Sequence, residues 1–385
     1  MTIQDRTAPT AAESDCATVF VAIELSRSSW VVAAHMPPVD KIRLHKLAAG
    51  DVEGLLTLIS RQRARAEKAL GRPVRVASCY EAGYDAFWLH RVLVANDVDN
   101  HVIDPASLLV NRRARRAKSD RIDAEGMLRA LMAYARGERR VFAVVRVPSR
   151  AEEDFKRLHR GRQQLIKERT RHVNRIKALL AGQGIYGFQP RRADAVTRLA
   201  ELRSGDGHVL APRLHAEIGR ELERLTLVQI MIGEVEAERN ALLEPAAACD
   251  ARDKMRLLVQ LRSIGPEIAS VLVGEVFYRA YDNRRQLGSY VGLTSTPFNS
   301  GAVTRDQGIS KAGNRRARTT MVELAWLWLR YQPDSALSQW FRARVNGAKG
   351  RLKRVMIVAL ARKLLVALWR YLETGLVPTG AVFKV

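Results

Sequence analysis

Three short apolar runs open the part of the chain that has a clear hydrophobic pattern. They read TVFVAIELS, WVVAAHM and KIRLHKLA, and each has the length and apolar content of a strand. The connections between them are short, so the pattern predicts an antiparallel meander. The preceding residues 1–17 are rich in Thr, Ala, Asp and Ser without any period, which predicts a disordered arm.

Helices and strands alternate after the meander. DVEGLLTLISRQRARAEKAL predicts a helix, PVRVASCYE a strand, the segment from about Tyr84 to Ala95 a helix, and NHVIDP a strand. Alternation of this kind favours strands added in parallel to the sheet. With one more helix to follow, this order of elements predicts an RNase H-like fold.

The segment DRIDAEGMLRALMAYA supplies that last helix. Its predicted buried stripe consists of Ile122, Leu128, Leu131 and Met132. Asp120 and Asp123 then lie in the first turns on one face, where their carboxylates repel each other. A positive group is therefore expected between them.

A capping box marks a boundary near Pro148. Ser149 is the predicted N-cap and Glu152 lies three residues further on, so a long helix begins here and extends to about Leu180. A second helix, from about residue 214 to 243, is expected to return antiparallel to the first. The pair predicts a helical arm or coiled coil.

The first arm helix combines an apolar stripe with charged faces. The stripe consists of Phe155, Leu158, Leu165, Val173, Ile176 and Leu180. The other faces carry Lys156, Arg157, Arg160, Arg162, Lys167, Arg169 and Arg171. Such an arm suits oligomerisation and nucleic-acid contact equally, and both interpretations stay open.

The last third of the chain is predicted to be mainly helical. LLVQLRSIGPEIASVLVGEV has the pattern of a helix-hairpin-helix, in which Gly265 lies in the turn and the turn amides can hold a phosphate. A basic and apolar helix from about Arg351 to Glu373 closes the chain. The predicted fold class is therefore α/β plus α.

The net charge of the chain indicates which class of partner it binds. Lys and Arg outnumber Asp and Glu by 64 to 40, which gives a net charge of +24 spread along all 385 residues. A balance of this kind predicts a polyanionic partner, with nucleic acid first among them. Cys16, Cys79 and Cys249 are odd in number and widely spaced, so a disulfide framework or zinc site is not expected and a reducing cytoplasm fits.

Targeting and membrane segments are not expected. The N-terminus lacks the basic and then apolar pattern of a signal peptide, and charged residues interrupt the most apolar stretch, RVMIVALARKLLVALWRYL.

Four carboxylates occupy the positions where an RNase H-like fold gathers its acids. They are Glu24 in the first strand, Glu81 at the end of the fourth, and Asp120 and Asp123 on the last helix. Such a set suits one or two Mg²⁺ or Mn²⁺ ions and phosphodiester chemistry. The two aspartates and Glu81 also have ordinary interpretations, a favourable helix N-terminus and a helix cap. Glu24 is harder to explain in that way, because a carboxylate inside an apolar strand needs a partner.

Several motifs resemble one known family. FVAIELSRSSWVV, CYEAGYDAFWLHRVL, VIDPASLLVNRRARRAKSDRIDAEGML, YVGLTSTPFNSG and GISKAGNRRAR are similar, in order and spacing, to motifs of the DEDD-type insertion-sequence transposases of bacteria. The resemblance extends from Val19 to about Leu372. It implies a RuvC-like RNase H-fold domain followed by a C-terminal transposase domain. Family members include bridge-RNA-guided recombinases and site-specific DNA invertases.

The resemblance also implies roles for individual residues. The acidic tetrad falls on Glu24, Glu81, Asp120 and Asp123, with glutamate at the first position where aspartate is usual. The nucleophilic serine falls on Ser300, which implies a phosphoserine intermediate formed against metal ions of the other domain, often from another subunit. From the residues alone Ser300 has the pattern of a turn residue, and Thr294, Ser295 and Thr296 stay alternatives.

Two cationic segments flank these elements. They are Arg112, Arg113, Arg115, Arg116 and Lys118 before the aspartates, and Lys311, Asn314, Arg315, Arg316 and Arg318 after Ser300. We expect both to contact nucleic-acid phosphates, with Lys118 near a carboxylate or the scissile phosphate. The resemblance further implies DNA as substrate, a structured guide RNA and a dimer or tetramer.

The predicted organisation has four parts. Residues 1–17 form the arm, 18–148 the RuvC-like domain, 149–250 the helical or coiled-coil arm, and 251–385 the C-terminal transposase domain. Three other functions remain open: a metal-dependent nuclease or junction resolvase, a site-specific invertase, and an inactive nucleic-acid-binding descendant of a transposase.

Overall fold

The computed structural model describes residues 17–83, 87–108, 119–244, 249–300 and 303–384. Two compact units divide between Pro148 and Ser149. The predicted arm of residues 1–17 lies almost wholly outside the described residues, as do Arg112, Arg113, Arg115, Arg116 and Lys118.

The first unit is built on a five-stranded sheet. Its strands are β1 (Thr18–Leu25), β2 (Ser29–Met36), β3 (Val39–Ala48), β4 (Arg75–Glu81) and β5 (Asp99–Ile103). They lie in the order β3-β2-β1-β4-β5. The first three are antiparallel, β4 is parallel to β1, and β5 is parallel to β4. The meander and the parallel additions are confirmed, and the order is consistent with an RNase H-like fold.

Helices cover both faces of the sheet. They are α1 (Val52–Leu70), α2 (Trp88–Ala95) and α3 (Asp120–Ala135). Because side chains alternate along a strand, Val21 and Ile23 of β1 pack in the core that includes α1 and α2, while Ala22 packs in the core under α3. The prediction for the start of α2 at Tyr84 lies outside the described residues.

The prediction of the buried stripe of α3 is partly wrong. Ile122 is 45% exposed, and Ala124 and Met127 are buried with Leu128 and Leu131. Residues one turn apart share a face of a helix, so the small Ala124 lets α3 approach the sheet closely. Ile122 points away from that face.

The second unit is mainly helical and carries one β-hairpin. Its elements are α4 (Arg150–Ala181), α5 (Ala195–Glu201), α6 (Pro212–Ala241), α7 (Asp250–Gln260), α8 (Pro266–Leu272), a π-helical turn (Val273–Phe277), α9 (Arg284–Val291), β6 (Ser295–Ser300), β7 (Val303–Ile309), α10 (Arg315–Tyr331), α11 (Ala336–Val345) and α12 (Arg351–Thr374). Its main core includes Trp328, Leu360 and Leu364. The hairpin of β6 and β7 is an element that the hydrophobic pattern did not predict.

The arm is an antiparallel pair of helices. The capping box of Ser149 and Glu152 is confirmed at the start of α4. Polar contacts join α4 to α6: Arg162 lies 2.6 Å from Glu236, His172 lies 2.6 Å from Glu221, and Arg175 lies 2.6 Å from Glu217, so the partner's number falls as the α4 number rises. The order of these partners establishes the antiparallel direction.

The predicted faces of α4 need one correction. Lys156 was expected on a charged outer face, but it is buried with its Nζ 3.6 Å from the centroid of the Tyr278 ring. Phe155 and Leu158 are only partly buried, whereas Ile176 and Leu180 are fully buried near the far end of the arm. The N-terminal part of α4 is therefore held by polar contacts as well as by Phe155, which packs against the main core of the second unit.

In the part of the chain that the structure describes, no helix combines the length and the apolar character needed to cross a membrane.

Candidate active site

Two of the predicted acids lie on neighbouring parallel strands. The ladder between β1 and β4 pairs Ala22 with Cys79 and Ile23 with Tyr80. One further step along both strands places Glu24 beside Glu81. Since adjacent strands lie about 4.8 Å apart and alternate residues share a face, both carboxylates lie on the face that α3 covers.

The other two acids open α3. Ser119 is the N-cap, and its hydroxyl accepts a hydrogen bond from the Ile122 amide at 3.3 Å. Asp120 and Asp123 precede the buried Ala124 and Met127 by one turn each, so they continue the side of α3 that faces the sheet. All four acids therefore belong to one face of the sheet.

The four acids do not form a closed metal cluster in this structure. Among the described residues, no group of three or more His, Cys, Asp or Glu side chains is arranged to hold a metal ion. Their chemistry still fits, because carboxylate oxygens are the ligands that Mg²⁺ and Mn²⁺ prefer. The arrangement is an adjacent strand pair and a helix pair on the same face.

No cation of the described residues bridges the two aspartates. Arg121, the nearest in sequence, instead donates from Nε to Glu125 at 3.0 Å. The positive group expected from their repulsion stays a prediction, and Lys118 lies outside the described residues.

Ser300 is the last residue of β6. It is exposed and pairs across the hairpin with Val303. Ser295, by contrast, pairs with Ile309 at the base of the hairpin. Ser300 therefore lies at the end of its strand, away from the base of the hairpin, whereas Thr294, Ser295 and Thr296 lie nearer the base.

The base of the hairpin is held by two glycines and an arginine. Gly292 has φ of 72° and Gly313 of 81°, and a Cβ on either would collide with a carbonyl oxygen, that of Ala312 or of Tyr290. Arg318 donates to the carbonyls of Val291 and Ala312, each at 3.1 Å. The two sequence motifs that flank Ser300 therefore meet in space.

A buried carboxylate connects this base to the arm. Glu275 is 2% exposed and accepts hydrogen bonds from His159 at 2.9 Å, from Arg160 at 2.7 and 3.0 Å, and from Asn314 Nδ2 at 2.8 Å. Asn314 also caps α10 by accepting from the Ala317 amide at 3.1 Å. One carboxylate therefore fixes α4, the π-helical turn and the start of α10 together.

The partners of Glu275 decide its charge. Burial by itself raises the pKa of this carboxyl, but the hydrogen bonds from His159 and Arg160 and the charge of Arg160 outweigh burial, so the pKa lies well below its usual range. Glu275 is therefore ionised at neutral pH.

Sequence reasoning missed this network. The available signal was a lone carboxylate inside the apolar run VLVGEVF, the same signal that singled out Glu24. Its partners could not be inferred, since His159 is 116 residues away in sequence.

Removing the charge of Glu275 is expected to destabilise the second unit. Glu275→Gln removes the negative charge that Arg160 pairs with and replaces one acceptor oxygen by an NH2 group that can only donate, so the free energy of unfolding should fall by about 3 kcal/mol at pH 7. Urea unfolding of the full chain measures this. Glu217→Gln, which removes the same charge from the exposed pair with Arg175, is the control and should cost less than about 1 kcal/mol.

The same prediction has a pH dependence. The folded-state pKa of Glu275 is lowered, so its contribution is complete above the unfolded-state pKa of about 4.3 and is lost as the pH falls below it. The difference between wild type and Glu275→Gln should therefore shrink in acid. A difference that stays constant between neutral and acid pH would contradict this account of the network.

The predicted phosphate-binding residues after Ser300 lie in two environments. Lys311 and Arg315 are exposed. Arg316 donates from Nε to Gln163 of α4 at 2.7 Å, and Arg318 and Asn314 make the contacts described above. Contact with nucleic acid stays a prediction for all five.

Gly265 lies in the turn between α7 and α8, as predicted. The C-terminal segment covers this turn, because Lys384 donates from Nζ to the Ile264 carbonyl at 2.7 Å and the Arg262 amide donates to Val382 at 3.0 Å. Two short helices and a turn are therefore present, and phosphate contact at Gly265 stays a prediction.

Two family models match the chain. Residues 21–184 match a transposase model, the DEDD type of IS110. Residues 255–340 match the model of the Transposase IS116/IS110/IS902 family. The four acids lie in the first region and Ser300 lies in the second.

Curated proteins extend the similarity along the whole chain. A putative transposase y4rJ of Sinorhizobium fredii is 50% identical over 386 residues, which cover 98% of this chain and 97% of that protein. The transposase for insertion sequence element IS1328 of Yersinia enterocolitica is 29% identical over 68% of this chain and 73% of that protein. The transposase for insertion sequence element IS1111A of Coxiella burnetii is 24% identical over 74% of each.

Proposed function

Because the chain belongs to the IS110/IS116 family of DEDD transposases and is a DNA transposase, we propose that it exchanges DNA strands through a covalent link to Ser300. The observation that carries the proposal is an exposed serine at the end of a hairpin whose base is fixed by Gly292, Gly313 and Arg318. Rigid support of an accessible nucleophile is what such a step requires.

Each step of the proposed reaction forms one phosphorus–oxygen bond and breaks another. The Ser300 hydroxyl loses its proton to solvent or a nearby base, and Oγ forms a bond to the scissile phosphorus. The bond from that phosphorus to one sugar oxygen breaks, and the released oxygen takes a proton. A sugar hydroxyl of a second DNA strand then attacks the phosphoserine, which restores a phosphodiester and frees Ser300.

A DEDD domain depends on a divalent metal ion. We assign the ligands to Glu24, Glu81, Asp120 and Asp123, with Mg²⁺ or Mn²⁺ as the ion. When bound, the ion stabilises charge on the phosphate oxygens and lowers the pKa of an attacking hydroxyl. Two strands of the sheet and the helix α3 that covers them would supply these hard oxygen ligands.

Partners follow from the same proposal. DNA is the substrate of a transposase, and the net charge of +24 suits further contact with a polyanion. We propose a structured guide RNA that selects the target by base pairing, a homodimer or tetramer, and a cytoplasmic location. If a guide RNA selects the target by base pairing, the protein itself needs to recognise only the backbone and the geometry of the nucleic acid.

One assay tests the proposed chemistry. Protein co-expressed with the noncoding DNA that flanks its element is purified and incubated with Mg²⁺ and element-junction DNA, and the products are separated under denaturing conditions. The proposal predicts a protein–DNA adduct and joined strands. Cleaved ends without an adduct would instead favour a metal-dependent nuclease or junction resolvase.

A further inference from the structure

A cationic cleft runs beside α12 in the second unit. It has a volume of about 1260 Å³ and lies between α9, the C-terminal end of β7 and α12. Eight of its described lining side chains are Arg or Lys and none is Asp or Glu. Five come from α12: Arg351, Arg354, Arg362, Lys363 and Arg370. Arg284 and Arg285 of α9 and Lys311 supply the rest.

These charges are not neutralised within the described residues. None of the eight forms a salt bridge there, whereas the arm cations Arg162, Arg175 and Arg239 each pair with a glutamate. Like charges around one cleft repel each other in the absence of a counterion. The cleft is therefore electrostatically prepared for an anion.

The helix ends strengthen this conclusion. α12 opens with Arg351, Lys353 and Arg354 and has no acid in its first turn and no side-chain cap. α9 opens with two arginines and also lacks an acid there. Cations at the positive end of a helix are unfavourable and acids are favourable there, as in α4 and α7. A polyanion bound in the cleft would offset the repulsion between these cations and the helix N-termini in both α9 and α12.

Three valines of α12, Val355, Val358 and Val366, give the cleft an apolar floor between its cations. Six residues of α12 that line the cleft recur every three or four positions along the helix: Arg351, Val355, Val358, Arg362, Val366 and Arg370. They form one side of α12 over about 28 Å. Val355 is 50% exposed. Cations thus alternate with aliphatic side chains along the cleft.

We propose that this cleft binds an unpaired nucleic-acid strand. Its phosphates lie on the arginines and its sugars and base faces lie over the valines. A duplex stacks its bases inside and would leave the apolar floor uncovered, whereas a single strand offers both a charged backbone and exposed base faces. The inference deepens the proposed function and rests on it in one respect, the choice of nucleic acid as the polyanion.

Strand binding without catalysis tests the cleft. The full-length Ser300→Ala protein is titrated in EDTA against fluorescent oligo(dT), oligo(U) and a duplex of equal length, at several salt concentrations. The test variant adds Arg284→Gln, Arg354→Gln and Arg370→Gln. The control adds Arg213→Gln, Arg330→Gln and Arg344→Gln, which remove the same charge from exposed sites of the same unit.

The cleft variant should bind the strand about tenfold to a hundredfold more weakly than the control, and its salt slope should fall by about 2. The relative loss on oligo(dT) and oligo(U) identifies the natural strand. Equal losses in the test and control variants would overturn the site. If the cleft variant loses as much affinity for the duplex as for the strands, the assignment to an unpaired strand is wrong. If it binds all three nucleic acids as the control does, the cleft does not bind nucleic acid and suits an acidic protein segment instead.

This test is independent of the proposed chemistry, because it needs neither metal nor Ser300. If the adduct assay fails while the cleft variant loses strand binding, the serine mechanism is wrong and the cleft stands. If adducts form while the cleft variant binds strands normally, the cleft proposal is wrong and the serine mechanism stands.

Discussion

Replacing Ser300 with alanine should remove the proposed covalent adduct and lower strand transfer by roughly a thousandfold or more. Ser300 is exposed at the end of β6, so loss of its hydroxyl leaves the hairpin and its fixed base intact. DNA binding and thermal stability should therefore match those of wild type. Denaturing electrophoresis with labelled element-junction DNA measures the adduct and the joined product.

The control for this prediction removes a hydroxyl from the same strand. Thr296→Val changes an exposed residue nearer the base of the hairpin and should leave the adduct unchanged. An adduct that persists in Ser300→Ala and disappears in Thr296→Val would move the nucleophile to Thr296. Undiminished cleavage in both would place the protein among the nucleases.

Replacing Asp120 or Asp123 with asparagine should lower strand transfer by on the order of a hundredfold or more. Either change removes one hard oxygen ligand from the face shared with Glu24 and Glu81. The second readout is metal binding: Mn²⁺ should raise the melting temperature of wild type and have little effect on either variant. This readout does not depend on which DNA the protein prefers.

Glu125→Gln is the matched control on the same helix. Glu125 pairs with Arg121 and Arg129 and is not one of the four assigned acids. Its loss should change stability slightly and leave both the metal response and strand transfer intact. An equal loss of metal response in Glu125→Gln would contradict the assignment of ligands.

The first unit was largely predictable because its signals are local. Five apolar runs of strand length gave the strands of the sheet, and their spacing gave the antiparallel and parallel connections. The order of strands then places Glu24 next to Glu81 without any knowledge of side-chain packing. The geometry of the four acids around a metal ion is different, because no hydrophobic pattern specifies the distances between side chains on two strands and a helix.

The hairpin that carries Ser300 escaped prediction for a physical reason. All six residues of β6 are exposed, so STPFNS shows no alternation of apolar and polar positions, and it contains a proline. Its position depends on contacts at its base, chiefly Gly292 against Ala312 and Gly313 against Tyr290. These are backbone contacts between residues about twenty apart, which hydrophobic periodicity does not report.

Long-range polar contacts also changed the account of the arm. The pattern placed Lys156 and Arg160 on an outer face, but Lys156 packs on Tyr278 and Arg160 binds Glu275. Lys156 is buried through contact with an aromatic ring, and Arg160 reaches the buried Glu275 although its own side chain is 45% exposed. Tertiary contacts rather than residue type therefore decide where these two side chains lie. An isolated acid in an apolar run, Glu275, was the one local sign of it.

The measurement that tests the central claim most directly is the position of the nucleotide in the protein–DNA adduct. Trypsin cleavage after Arg285 and Arg305 releases residues 286–305, which contain Ser300 with Thr294, Ser295 and Thr296. After nuclease digestion, fragmentation by mass spectrometry should place the phosphate on Ser300. A phosphate on any other residue, or free DNA ends with no modified peptide, would contradict the account.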